Sequence, residues 1–278
     1  MNDIPRIHSA QLLKQHGLWA TRRLGQNFLE EPAALQQIAE AAGIQSSDTV
    51  LEVGPGLGNL TRYLSVSSHQ VVAVELDRRL IPVLEGVLKP YRNVRLILGD
   101  ILALSPRELG LPERYLAVAN IPYNITSALL RHLLASQPEP RRTVLTIQKE
   151  VAERICSQPP DMSLLALSVQ VYGRPSIVAA IPAESFFPTP RVDSAVIRIE
   201  IYPDPLIERG LLQPFFELIK AGFSQKRKTM RNALAAGLRI SPAQATTLLV
   251  EAGLDPQRRA ETLSIEEWRG LVRIRRPQ

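Results

Sequence analysis

Cysteine and histidine are scarce in this sequence of 278 residues, which has one cysteine, Cys156, and four histidines. A single thiol excludes a disulfide within these residues and suits a reducing compartment. The histidines are scattered, so none stands at metal-ligand spacing. No uncharged apolar stretch reaches the roughly 18 residues of a membrane span, and residues 1–6 contain no apolar run typical of a signal peptide. We therefore expect a cytoplasmic protein with neither a metal nor a membrane partner.

Acidic charge is scarce in the last quarter of the chain. Residues 1–204 hold 20 Lys/Arg and 20 Asp/Glu, whereas residues 205–278 hold 13 and 7. The change coincides with Pro203-Asp204-Pro205, a sequence typical of a linker. We therefore expect two domains, 1–204 and 205–278. The excess is densest at Lys226, Arg227, Lys228 and Arg231, which favours a surface facing RNA phosphates over an ordinary solvated helix face.

Apolar runs predict the architecture of the first domain. They alternate with helical stretches, as in a parallel sheet with crossover helices. The last two runs are rich in β-branched residues and predict a closing antiparallel hairpin. The predicted strands are Thr49–Val53, Val71–Glu75, Val94–Leu98, Tyr115–Asn120, Thr143–Gln148, Ser176–Ile181 and Ala195–Ile201.

Helical periodicity dominates the region after the linker. It predicts four helices, with Gly237 and Gly253 as carboxyl-terminal stops. The fold class is therefore α/β with a small all-α carboxyl-terminal domain. The four predicted helices are Leu211–Phe223, Lys228–Leu238, Pro242–Ala252 and Ile265–Ile274.

Three successive predicted strands end in residues suited to a nucleoside. The first runs into Gly54-Pro55-Gly56-Leu57-Gly58, whose spacing differs from the pattern that seats a dinucleotide pyrophosphate. The second ends in Glu75, about 20 residues on, where a ribose diol is bonded in such folds. The third leads to Asp100, which suits an adenine amine. Each signal is weak alone, but together they favour a Rossmann-like methyltransferase sheet that binds S-adenosylmethionine.

The fourth strand runs into Asn120-Ile121-Pro122-Tyr123. A planar exocyclic amine is a poor nucleophile because its lone pair is delocalised into the ring. The Asn120 side-chain oxygen and the following backbone carbonyl could accept its two N–H bonds and favour a tetrahedral nitrogen. Tyr123 offers a ring on which the base could stack. An isolated N-x-P-Y would be an ordinary turn, but beside the three upstream motifs it indicates methyl transfer to an amino nitrogen.

Across almost the whole chain, the sequence resembles the KsgA/RsmA family of rRNA adenine N6,N6-dimethyltransferases. The resemblance rests on the motifs above and on five further segments: Leu24–Leu29, Gln148–Arg154, Phe186–Ser194, Phe223–Asn232 and Arg258–Ser264. The resemblance implies transfer to two adjacent adenosines in a hairpin loop near the 3′ end of 16S rRNA in the 30S subunit, and a role in ribosome biogenesis. We expect a monomer. The resemblance also implies that Tyr123 and Phe186 clamp the flipped adenine, although Phe187 leaves open which ring stacks. The cofactor contacts that it implies are Asn27, Leu29, Gly54, Glu75, Asp100 and Asn120.

Three alternatives remain at this stage. A nicotinamide oxidoreductase would use the glycine turn and Glu75 but would leave Asn120 and Tyr123 without a role. A non-catalytic RNA-binding assembly factor would not need either residue. An Erm-type 23S rRNA methyltransferase shares the amino-terminal motifs, and the carboxyl-terminal motifs disfavour it.

Overall fold

The computed structural model describes residues 4–275. Within them, no helix is both long enough and apolar enough to cross a lipid bilayer. The strands are β1 (Phe28–Leu29), β2 (Thr49–Val53), β3 (Gln70–Glu75), β4 (Val94–Leu98), β5 (Leu116–Asn120), β6 (Arg142–Gln148), β7 (Gly173–Ile181), β8 (Phe186–Phe187) and β9 (Ser194–Ile201). The helices are α1 (Ser9–Gln15), α2 (Pro32–Ala42), α3 (Asn59–Ser65), α4 (Ile81–Leu88), α5 (Thr126–Ala135), α6 (Lys149–Cys156), α7 (Leu164–Gln170), α8 (Leu212–Gly222), α9 (Met230–Leu238), α10 (Pro242–Glu251) and α11 (Ile265–Ile274).

Seven strands form one mixed sheet in the order β4-β3-β2-β5-β6-β9-β7. The pairs among β4, β3, β2, β5 and β6 are parallel, and β9 runs antiparallel to β6. The chain builds outwards from β2, first to β3 and β4 on one side and then to β5 and β6 on the other. Such a reversal opens a crevice at the carboxyl ends of the central strands, where open α/β sheets bind ligands.

The seven predicted strands are all present, which confirms the predicted fold class. Six have bounds within one residue of those predicted, and β7 begins at Gly173 instead of Ser176. The central strands are buried on both faces, so their sequences are almost continuously apolar. The predicted closing pair is adjacent in the sheet, with β9 between β6 and β7.

Two short strands lie outside the main sheet. β1 pairs antiparallel with β8, so Leu29 faces Phe186 and Phe28 faces Phe187. Leu29 and Phe186 belong to a buried apolar cluster with α2 and α3 residues, whereas Phe28 packs in a second cluster with α4 residues. The pairing fixes the segment before β2 against the segment before β9.

The chain divides into two compact units, of which the first extends to Ala152 and includes Ser176–Ile201. The second takes Glu153–Pro175 and the described residues from Tyr202 onward. The break at Tyr202 lies close to the expected boundary at residue 204. The grouping of Glu153–Pro175 with the carboxyl-terminal helices was not expected. It has a clear local basis, since the backbone amides of Tyr202 and Leu206 donate to the carbonyls of Tyr172 and Val171.

The carboxyl-terminal helices differ from prediction at two places. The second begins at Met230 instead of Lys228, so Lys228 lies with Lys226 and Arg227 in the preceding loop. Gly237 is not a stop, because the helix continues to Leu238 and Arg239 takes the left-handed conformation at φ 56°. A Cβ at Gly237 would lie 2.6 Å from the Cα of Ala221 in α8. This glycine therefore serves close packing of α9 on α8.

Candidate functional site

One pocket lies at the carboxyl ends of β2, β3, β4 and β5. All eight residues predicted to bind the cofactor or act in catalysis line it: Asn27, Leu29, Gly54, Glu75, Asp100, Asn120, Tyr123 and Phe186. They meet because the parallel strands end at the same edge of the sheet. β1 and β8 contribute the remaining wall.

Gly54 opens the turn after β2 with a left-handed φ of 67°. A Cβ built on it would meet nothing within 4 Å. The space that a side chain would fill is therefore open to a ligand that approaches the backbone. This geometry suits the expected nucleoside cofactor.

Glu75 lies buried at the end of β3 and holds the glycine turn in place. Its Oε2 accepts a hydrogen bond from the Gly56 amide at 3.1 Å, and its Oε1 accepts one from the Asp77 amide at 2.7 Å. Burial raises the pKa of Glu75 above its ordinary value, while the two backbone amides oppose that rise. A carboxylate has about four acceptor positions, so both oxygens keep capacity for a ribose diol.

Asp77 links this turn to the amino-terminal segment. Asp77 accepts a hydrogen bond from the Gln26 side chain at 2.9 Å. It also accepts from the Arg79 guanidinium, which in turn donates to the Thr21 hydroxyl. Hydrogen bonds from Arg79 hold the pKa of Asp77 below its ordinary value. The segment that carries Asn27 is thereby fixed to β3.

Asp100 follows β4 and is exposed at the rim of the pocket. One of its oxygens, Oδ1, accepts a hydrogen bond from the Leu102 amide at 2.9 Å. That bond orients the side chain and leaves Oδ2 to accept from a ligand such as an adenine amine.

Asn120 is oriented by the amino-terminal segment. Its Nδ2 donates a hydrogen bond to the backbone carbonyl of Asn27 at 3.1 Å. Because a carbonyl can only accept, the amide nitrogen must face Asn27. The Oδ1 atom is then the free end of the side chain and can accept an N–H bond from a substrate amine.

Tyr123 begins a short 3-10 turn after Pro122, and its hydroxyl lies 2.7 Å from the Ser194 hydroxyl. Ser194 is fully buried at the start of β9 and pairs with Gln148 of β6. Burial raises the pKa of the half-buried Tyr123, so its phenol stays neutral. The bond fixes the far end of the ring and so orients its face. Sequence patterns gave no sign of this contact because it joins residues 71 positions apart.

The two phenylalanines of β8 have different surroundings. Phe186 is buried and lines the pocket with Asn120 and Tyr123. Phe187 lines a neighbouring groove instead. The alternation of side chains along a strand explains the difference. It favours Phe186 as the ring facing Tyr123 across the pocket.

Two further residues line the pocket that sequence patterns did not single out. Glu52 of β2 is buried, and its Oε2 atom has no hydrogen-bond partner. The same is true of Oδ1 of Asn59 at the start of α3. Buried acceptors without a partner are costly, which fits a pocket that receives donors such as a ligand ammonium group. Burial raises the pKa of Glu52 to about 8; the nearby Thr61 hydroxyl opposes the rise, and the Glu75 carboxylate adds to it.

The predicted RNA contacts belong to the second unit. Lys226, Arg227 and Lys228 are exposed in the loop between α8 and α9. Arg231 lies in the first turn of α9, half-buried, and donates to the Asn232 side chain at 3.2 Å. None of the four forms an ion pair with another described residue, so their charges are available to a partner. Among residues 4–275, no group of three or more His, Cys, Asp or Glu side chains is placed to hold a metal ion.

Comparisons with known proteins agree on one family. The model of the family described as "Ribosomal RNA adenine dimethylase" matches residues 18–275. A Dehalococcoides mccartyi protein named "Ribosomal RNA small subunit methyltransferase A" is 49% identical over 263 residues, covering 94% of this chain and 90% of that protein. A dimethyladenosine transferase from Plasmodium falciparum superposes with a TM-score of 0.76 at 26% identity, over 88% of this chain and 95% of that one. The 23S rRNA methyltransferase ErmE gives a TM-score of 0.72 at 28% identity, over 89% of this chain and 99% of that one.

Proposed function

The chain belongs to the ribosomal RNA adenine dimethylase family, and we propose that it methylates N6 of two adjacent adenosines in 16S rRNA of the small ribosomal subunit. S-adenosylmethionine is the methyl donor, and each adenosine receives two methyl groups. The observation that carries the proposal is the hydrogen bond from Asn120 to Asn27. It directs an amide oxygen into the pocket, where a substrate amine needs an acceptor.

The cofactor residues have distinct tasks. Glu75 accepts from the ribose hydroxyls and Asp100 from the adenine amine, while Gly54 lets the backbone approach. Asn27 and Leu29 complete the lining of the pocket beside the glycine turn. The unpartnered Oε2 of Glu52 and Oδ1 of Asn59 suit the ammonium group of the methionine part. When bound, S-adenosylmethionine supplies a methyl group made electrophilic by its sulfonium.

The protein's part in the chemistry is position and hydrogen bonding. Asn120 Oδ1 and the following backbone carbonyl accept the two N–H bonds of the adenine amine and orient its lone pair. Tyr123, fixed by Ser194, and Phe186 hold the flipped base between two rings. The amine proton becomes acidic only after methyl transfer, so no dedicated general base is required.

RNA recognition belongs to the carboxyl-terminal helices. The exposed Lys226, Arg227 and Lys228, with Arg231 behind them, contact backbone phosphates of the subunit. In this scheme residues 1–204 carry the chemistry and residues 205–278 carry RNA binding. The protein acts as a monomer in the cytoplasm, without a metal.

Two other functions have less support. An Erm-type enzyme would share this fold, as the likeness to ErmE illustrates, but the relatives with 38–49% identity carry the name "Ribosomal RNA small subunit methyltransferase A". A non-catalytic assembly factor would have no use for the oriented Asn120 and Tyr123.

The test is to map methylated adenosines in rRNA from cells with and without this protein. We expect cells without the protein to lose dimethyladenosine near the 3′ end of 16S rRNA. The intact gene should restore the modification, and an Asn120→Ala copy should not. Unchanged 16S rRNA with a change in 23S rRNA would support the Erm-type alternative. No change in either rRNA would overturn the proposed activity.

A further inference from the structure

A groove adjoins the pocket in the first unit, and apart from Asn27 and Tyr123 its lining residues are outside the predicted contacts. It is lined by residues of α1, the segment that follows it and residues 187–192. Asn27 and Tyr123 line both the groove and the pocket, so the two spaces share a wall. The groove is therefore placed to hold the part of a substrate that continues beyond a base in the pocket.

The charge of the groove is of one sign. Lys14, Arg22 and Arg191 line it, and all three are exposed. No aspartate or glutamate is among its described lining residues, and none of the three cations forms an ion pair with another described residue. An uncompensated basic groove is complementary to a polyanion.

An aromatic side chain stands in the same groove. Trp19 is 72% exposed, the highest exposure among the large apolar side chains of the described residues. A ring with this exposure offers a large apolar face on which a ligand can stack. Phe187 also lines the groove. A basic groove with aromatic platforms is the arrangement that binds single-stranded nucleic acid, since every base can stack on a ring.

We propose that this groove binds the single-stranded nucleotides flanking the target adenosine, with Trp19 stacking on a base and Lys14, Arg22 and Arg191 contacting phosphates. The proposal rests on the proposed rRNA methyltransferase function and names the path by which its substrate reaches the pocket. It adds a second RNA contact, in the unit that carries the chemistry, to the basic loop at Lys226–Lys228.

Tryptophan fluorescence gives a direct test. The chain has two tryptophans, and Trp268 is fully buried. The ligand is a short single-stranded RNA oligonucleotide that contains two adjacent adenosines. A change in tryptophan emission when it is added therefore reports on Trp19. We expect quenching in the unaltered protein and none in Trp19→Leu. Absence of quenching in the unaltered protein at saturating oligonucleotide would overturn the stacking contact.

Kinetics with unmethylated small subunits test the role in the reaction. Stacking of one base predicts that Trp19→Ala and Trp19→Leu raise KM about tenfold, whereas Trp19→Phe restores it. Cofactor affinity, measured by calorimetry, should be unchanged because Trp19 does not line the pocket. If the unaltered protein is active and its KM equals that of all three Trp19 variants, the groove assignment is overturned while the proposed function stands. An inactive unaltered protein would instead count against the proposed function.

Charge reversal has a matched control. The groove triple variant is Lys14→Glu, Arg22→Glu, Arg191→Glu. The control triple variant, Arg92→Glu, Arg107→Glu, Arg131→Glu, changes net charge by the same amount. Its three arginines are exposed and line neither the groove nor the pocket. We expect the groove triple to weaken subunit binding at least tenfold and to lower its salt slope by about 2, at roughly 0.7 for each single-strand phosphate contact. Equal loss in both triples would mean general electrostatics. Weaker subunit binding without loss of oligonucleotide binding would mean that the groove contacts a protein, and would also overturn the proposal.

Discussion

The Asn120 side chain is held by the backbone of Asn27, which lies 93 positions earlier in the chain. The residue at the end of β5 therefore owes its orientation to a segment that precedes the whole sheet. That segment is in turn fixed by the bond from Gln26 to Asp77. The pocket and the proposed catalytic acceptor are thus parts of one hydrogen-bonded network.

Asn120→Ala should reduce methyl transfer by about 100-fold, in the range found when one preorganised hydrogen-bonding group is removed from an active site. Single-turnover methylation of unmethylated small subunits measures the effect, and subunit binding should persist. The exposed neighbour Asn124→Ala serves as the control. Near-normal turnover of Asn120→Ala would remove Asn120 from the mechanism.

Ser194→Ala and Tyr123→Phe should have similar effects because each removes one side of the same 2.7 Å hydrogen bond. A hydrogen bond worth about 1 kcal/mol predicts a fall in kcat of about fivefold for each variant. The double variant should be no worse than either single variant, since the two changes act on one interaction. Ser65→Ala, which removes a buried hydroxyl bond to the Arg62 carbonyl away from the pocket, is the control. Additive losses would show that the two groups act separately.

Glu75→Gln should weaken S-adenosylmethionine binding at least tenfold, because the ribose would lose a charged acceptor. Glutamine keeps one oxygen, which can accept from either the Gly56 or the Asp77 amide, whereas alanine would lose both bonds, so glutamine disturbs the turn less. Calorimetry measures the affinity, and urea unfolding checks the fold. The unaltered protein should not bind NAD. Unchanged affinity for S-adenosylmethionine would place the ribose elsewhere.

Glu52 should make stability depend on pH in the absence of cofactor. Its pKa rises from 4.5 to about 8 on folding, so between these values the native state binds more protons than the unfolded state. Stability is therefore greatest at the acidic end of this range and falls as pH rises, by up to about 1.4 kcal/mol per pH unit. Glu52→Gln should flatten that fall when unfolding in urea is compared at pH 5.5 and 7.5. An unchanged slope would mean that Glu52 does not carry the linkage.

Reversing Lys226, Arg227 and Lys228 to glutamate should weaken small-subunit binding and reduce its salt dependence, since each lost phosphate contact lowers the counterion release. Cofactor affinity should stay unchanged, because none of these residues lines the pocket. The Arg92, Arg107, Arg131 triple again provides the charge-matched control. Equal affinity for unaltered and reversed protein at two salt concentrations would leave the loop as a solvated surface.

Sequence patterns predicted the strands and the residues at their ends because both are local properties. A buried parallel strand is a continuous apolar run, and its carboxyl end is a fixed place in the fold. The contacts that orient those residues are not local. Ser194 reaches Tyr123 and Leu29 faces Phe186 only after distant segments meet. Gly237 was mistaken for a helix stop for the same reason, since its proximity to Ala221 is a tertiary contact.

The pairing of β1 with β8 limits how this enzyme could be divided or redesigned. A fragment that ended before Phe186 would contain every strand-end residue from Gly54 to Asn120, yet the Leu29 segment would lack its partner strand. During synthesis, the lining of the pocket is complete only after Phe186 has emerged, and the bond that fixes Tyr123 must wait for Ser194. Insertion of a single residue next to β8 would exchange Phe186 for Phe187 at the pocket wall, because a one-residue shift turns every side chain of that strand to the opposite face.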